Sequence, residues 1–185
     1  MATVIPIPAL ELYPQIPTTS CRCQHCQMRK GGRITRNSEV RKAVKNAKQL
    51  LQNHGYDCQV TAEDLVQWFE ADTPYDQGTG LDEVIRNPLF VAHELVEIDN
   101  VKEMGLALTK DVIVKNMKKV DDAHLKAAQI EIQLAISMNK TQHIKDRIKD
   151  IQSWIKDSSV VEENKKEYRE LKAKALRALA EMSKV

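Results

Sequence analysis

The chain has 185 residues, enough for one core of ordinary size, with 4% aromatic and 29% charged residues and a formal net charge of +2. That balance suits a helical protein laced with Lys and Glu rather than a sheet sandwich, and no window approaches 18 uninterrupted apolar residues, so no membrane span is expected. The small net charge hides a segregation: nine bases against three acids over residues 1–60, one against ten over 61–100, and 18 against 13 over 101–185.

Residues 1–20 hold Pro6, Pro8, Pro14 and Pro17 and read as an extended segment. With no basic start and no helical run they do not read as a secretory signal, so a reducing, cytoplasmic location is expected. A second unit, residues 21–75, opens on Cys21-Arg22-Cys23-Gln24-His25-Cys26 and Gly31-Gly32. A helix follows from near Ser38 to Gly55, its apolar face made by Val40, Val44, Ala47 and Leu51. Thr61-Ala62-Glu63-Asp64 has the form of an N-cap with acids in the first turn, opening a short helix whose Leu65, Trp68 and Phe69 face inward.

The 72–80 stretch, rich in Asp, Thr, Gly and Pro, marks the start of a third unit, residues 76–185. Asn87-Pro88 opens a helix that Gly105 closes. Thr109 caps the next, which runs to about Met138 unless Asp121-Asp122 interrupts it. Thr141 opens a helix with the stripe Ile144, Ile148, Ile151, Ile155. Ser159 with Glu162 has the spelling of a capping box before the last helix, whose stripe is Val161, Asn164, Tyr168, Leu171, Ala175, Leu179 and Met182. The expected fold is all-α: a small Cys-containing N-terminal module followed by an antiparallel helical bundle. The last stripe is nearly heptad, so it either packs within the chain or joins a second copy or another protein partner.

Two residue sets carry chemistry. Cys23 and Cys26 form a C-x2-C knuckle and His54 with Cys58 an H-x3-C pair, together four ligands of the kind tetrahedral Zn2+ accepts. Cys21 is then spare or stands in for His54, and His25 is a further alternative. Ordinary thiols and an iron–sulfur cluster are the competing readings. Nine bases between Arg22 and Lys48 face one acid, Glu39, which suits phosphate contacts with nucleic acid, although no aromatic residues are interleaved for base stacking.

The second set lies in the bundle. From Ile113 an apolar register runs through Met117, Val120, His124, Ala127, Glu131, Leu134 and Met138, so His124 and Glu131 stand where Leu or Ile belongs. Upstream, His93-Glu94-Leu95-Val96-Glu97 puts His93 and Glu97 on one helix face. Burying such groups is costly unless they pair or hold a metal. The expectation is a site from His93, Glu97, His124 and Glu131 for Zn2+, Fe2+ or Mn2+, with Glu94 as the base of a metal-dependent hydrolase. His143 and Asp150 are positioned to add ligands or supporting hydrogen bonds. The competing reading pairs each histidine with a glutamate and needs no ion. The motif departs from the zincin pattern His-Glu-x-x-His at its second histidine, neither helix carries the Glu-x-x-His of di-iron bundles, and no His-Asp dipeptide of the HD phosphohydrolases occurs.

Overall fold

Helix α1 (Asn37–Gln52) buries Val40, Val44, Ala47 and Leu51, the stripe its three-and-four spacing dictates. Gly55 follows it at φ +79, a left-handed conformation that L side chains rarely adopt. These are the first elements of a computed structural model that describes residues 37–74 and 80–184. The extended segment 1–20 and the cluster Cys21, Cys23, His25 and Cys26 lie outside the described residues, as does the basic run from Arg22 to Arg36.

Helix α2 (Ala62–Glu70) starts on a reciprocal cap: the Asp64 backbone N–H donates to Thr61 Oγ1, and the Thr61 backbone N–H donates to Asp64 Oδ2. A short α3 (Leu81–Val84) then leads to α4 (Pro88–Glu103), which Asn87 caps by accepting from Leu89 N–H, with Pro88 at the first position. Helices α1, α2 and α3 all pack on α4, as does α6 (Met117–Ser137). Because α4 is surrounded, every residue from Val91 to Asp99 is buried. Four of them are polar or charged, and each needs a partner.

Between α4 and α6 lies α5 (Val112–Lys115), and here the structure departs from the continuous register. Asn116 breaks the helix at φ −131, ψ 34, its side-chain amide donating to the Val112 carbonyl, while Asp121 and Asp122 sit inside α6 without interrupting it. The face survives the break, because Ile113, Val120, Ala127, Glu131 and Leu134 are all buried.

His93 of α4 meets Glu131 of α6, and Glu97 approaches His124, so the two helices run antiparallel. Helix α7 (Thr141–Lys156) returns along α6, with His143 against Glu131 and Trp154 against His124. Helix α8 (Glu162–Met182) turns back along α7, pairing Lys172 with Gln152 and Thr141 with Met182. Its buried line is Asn164, Tyr168, Leu171 and Ala175. The anticipated capping box does not form. The Ser159 backbone and hydroxyl both donate to Asp157 Oδ1, so the serine is held in the preceding turn and Val161 takes the cap position. Among the described residues the architecture is entirely helical, and none of these helices is long and apolar enough to cross a membrane.

Candidate metal centre

One ligand atom from each of His93, Glu97 and His124 lies within 4.8 Å of the other two. The antiparallel α4–α6 pair creates this meeting point. His93 and Glu97 are one turn apart on α4 and face the same side, and α6 lays His124 opposite them. His93 is fully buried, Glu97 nearly so, and His124 half-buried.

In each histidine the Nδ1 atom is engaged away from this point. His93 Nδ1 is 2.8 Å from Glu131 Oε2, and His124 Nδ1 is 2.8 Å from the Tyr168 hydroxyl. Nε2 is therefore the atom each ring brings to an ion. His93 Nε2 already stands 3.5 Å from Glu97 Oε2, an ion-pair rather than a hydrogen-bond distance. Two ligands on a tetrahedral zinc are separated by roughly 3.3 Å, as follows from bonds of about 2.0–2.1 Å. The trio needs a small inward closure to grip one.

Glu131 is close by but is not part of the trio. Its Oε1 accepts from His143 Nε2 at 2.7 Å and from Arg147 Nε at 2.8 Å, while Oε2 takes His93. Arg147 also donates to Asp150 Oδ2 at 2.8 Å and lies over the Phe90 ring. The carboxylate thus holds the His93 ring by Nδ1, the place a carboxylate takes behind a metal-bound histidine. His143 and Asp150 enter this supporting network and not the convergence point. A cavity of about 330 Å³ borders the supporting network, lined in part by His143, Arg147 and Asp150.

The buried charged groups are mostly acidic. Among the described residues the buried acids are Glu94, Glu97, Asp99, Glu131 and Asp150, against a single buried arginine, Arg147. Burial opposes charge on His93, yet the Glu131 carboxylate, and then Glu97, raise its pKa to about 9. Burial likewise opposes charge on the acids. Contact with His93 and the nearby His124 nevertheless hold Glu97 below the usual range, and Arg147 with His93 hold Glu131 well below it.

Glu94 points to a different neighbour: its Oε2 accepts from Trp68 Nε1 of α2 at 3.1 Å. Asp99 accepts from the Tyr56 hydroxyl and the Gln59 backbone N–H, which ties the loop after α1 to α4. Of the expected zinc pair, His54 is exposed, with Nδ1 2.9 Å from the Leu50 carbonyl and Nε2 2.8 Å from Ser137 Oγ. Cys58 is buried, with Sγ 3.8 Å from the Leu95 carbonyl. On the basic face of α1, Arg41 pairs with Glu63 and Lys48 donates to the Val60 carbonyl.

Sequence reasoning did not assign Tyr168 or Arg147 a part in the site. Tyr168 sat unremarked in an apolar stripe, whereas Arg147 shares a buried face with His143 and Asp150, a signal that could have marked it. No family model, curated protein or solved structure matches the chain.

Proposed function

We propose that the protein is a metal-binding helical bundle that holds one divalent cation through His93, Glu97 and His124, with Glu131 orienting His93. The observation that carries this reading is the convergence of those three side chains inside the bundle. Two imidazoles and a carboxylate suit Zn2+, Fe2+ or Mn2+ and leave a coordination position for water or another small ligand.

Such an ion supplies Lewis acidity to whatever occupies the open position. Hydrolytic use also requires a base within reach of that position. Glu94 is the residue for that role, with its Oε2 already accepting from Trp68. The reading therefore centres on binding, with metal-dependent hydrolysis as its enzymatic extension.

The test is metal analysis and calorimetric titration of the full chain with Zn2+, Mn2+ and Fe2+. The wild type is expected to bind one equivalent more than the His124→Leu variant. Equal stoichiometry in a folded variant rejects the proposal.

A further inference from the structure

The two histidines are held by unlike means. The ring of His93 is fixed by a carboxylate on α6, whereas that of His124 is fixed by a phenol on α8, 44 residues along the chain. His124 also packs edge-on against Trp154 at 4.6 Å and against His93 at 4.9 Å, so its plane is set by three neighbours from three helices. Tyr168 is itself buried and packs on Trp154 at 5.2 Å.

Two polar contacts join the N-terminal half of α8 to α6. Asn164 donates to Asp122 Oδ1 at 2.9 Å, and Tyr168 meets His124 one turn further on. The remainder of its buried line is Leu171 and Ala175. The Tyr168–His124 contact is thus a direct polar tie from α8 to α6, beside the packing of α8 along α7.

We propose that Tyr168 is a positioning residue for the ion and that occupancy of the centre is coupled through it to the docking of α8. This rests on the metal-binding reading above. An imidazole that gives its Nε2 lone pair to an ion carries its proton on Nδ1 and must donate it. Without the ion, either ring nitrogen can carry that proton, and the phenol is donor or acceptor accordingly. With the ion, His124 is fixed as donor and Tyr168 as acceptor, so the contact is held in one of its two proton arrangements. Linkage makes the effect reciprocal: a seated α8 favours the ion, and the ion favours a seated α8.

The experiment uses the full chain carrying Cys21→Ser, Cys23→Ser and Cys26→Ser, which removes the N-terminal cysteines of the expected zinc module, with and without Tyr168→Phe. Zn2+ affinity is measured by calorimetry, and amide hydrogen exchange of residues 162–182 is measured with and without Zn2+. Tyr168→Phe is expected to weaken Zn2+ binding by about 10–100-fold, as loss of a ligand's supporting partner does. Zn2+ is expected to slow exchange in α8 of the parent and not of the variant. A purely structural tyrosine would loosen α8 in both states and leave affinity and zinc-induced protection unchanged, which overturns the proposal. If Tyr168→Phe does not fold, α8 exchange in the parent decides alone, and exchange indifferent to bound Zn2+ overturns it. Absence of Zn2+ binding by the parent overturns the metal reading itself and this coupling with it.

Discussion

Glu131 Oε2 lies 2.8 Å from His93 Nδ1, so the carboxylate is bonded to the ring nitrogen directed away from Glu97. It shapes the candidate centre from behind. Its other oxygen is shared by His143 and Arg147, which makes one buried carboxylate the junction of α4, α6 and α7.

His124→Leu separates a metal centre from a self-satisfied polar cluster. On the metal-binding reading the substitution removes a ligand while filling the space with apolar atoms, so loss of bound metal is expected. The metal-free protein is expected to lose about 1–3 kcal/mol, because the substitution takes one partner from the buried Tyr168 hydroxyl. Chemical denaturation with and without added Zn2+ checks both halves. A zinc-induced rise in the midpoint should occur only in the wild type.

Glu131→Gln keeps the shape and removes the charge. Arg147 and His93 then lose their shared counter-ion in the interior, and the cost is expected at about 3–5 kcal/mol, the range for breaking a buried pair from one side. Metal affinity should fall about 10–100-fold without vanishing, whereas Glu97→Gln should abolish it. Loss of metal from Glu131→Gln as complete as from Glu97→Gln would place Glu131 among the ligands.

The helical frame was legible because its signals are local. Asn87-Pro88, Gly55, Gly105 and the Thr61 cap each act within a few residues, and the α1 and α8 stripes follow from period alone. His124 and Glu131 were legible as polar residues in an apolar register, and His93 and Glu97 as a pair on one helix face. Their division into converging groups and support was not, because spacing gives a face and not a partner. Glu131 shares its face with His124 two turns away, and only the antiparallel return of α7 brings Arg147 to it. Tyr168 was hidden because a tyrosine fits an apolar stripe as well as it fits a hydrogen bond. The Ser159–Glu162 spelling misled because Asp157, two residues earlier, competes for the same serine.

Trp68→Phe probes whether Glu94 is structural or catalytic. The indole N–H that donates to Glu94 is lost, leaving a buried carboxylate with one donor fewer. Stability should drop by about 1–3 kcal/mol, the cost of removing one partner of a buried polar group. Metal content should be unchanged, since neither residue belongs to the converging trio. Any metal-dependent hydrolysis that rises in this variant would identify Glu94 as a base that Trp68 restrains.

Cys58 tests the expected zinc module. Burial pushes its thiol up to about 11, with Asp99 adding to the effect. The neutral form therefore dominates at pH 8, and alkylation by iodoacetamide is expected only on unfolding. Because Cys58 lies in the core and His54 is bonded to Leu50 and Ser137, both must leave their partners to serve zinc. Cys58→Ala is expected to leave zinc content unchanged in a folded protein. A loss of one equivalent would restore the His54–Cys58 pair to the module.

Asp64 sets an acid-dependent part of the stability. Burial raises its pKa, but bonds from Lys102 of α4 and from Thr61 outweigh it and hold the carboxyl below its ordinary range. The sign follows from linkage: a carboxylate with a depressed folded pKa contributes stability that is complete above its unfolded value, about 3.9, and is lost as pH falls through the folded one. Asp64→Ala should therefore cost about 1 kcal/mol near pH 7, the usual worth of a cap. The gap from wild type should narrow as the pH drops below about 4, because the wild type then loses the same charged contacts. Urea melts at pH 7 and pH 3 measure it. A gap that stays constant between them would mean that Asp64 acts through packing of its side chain rather than through its charge.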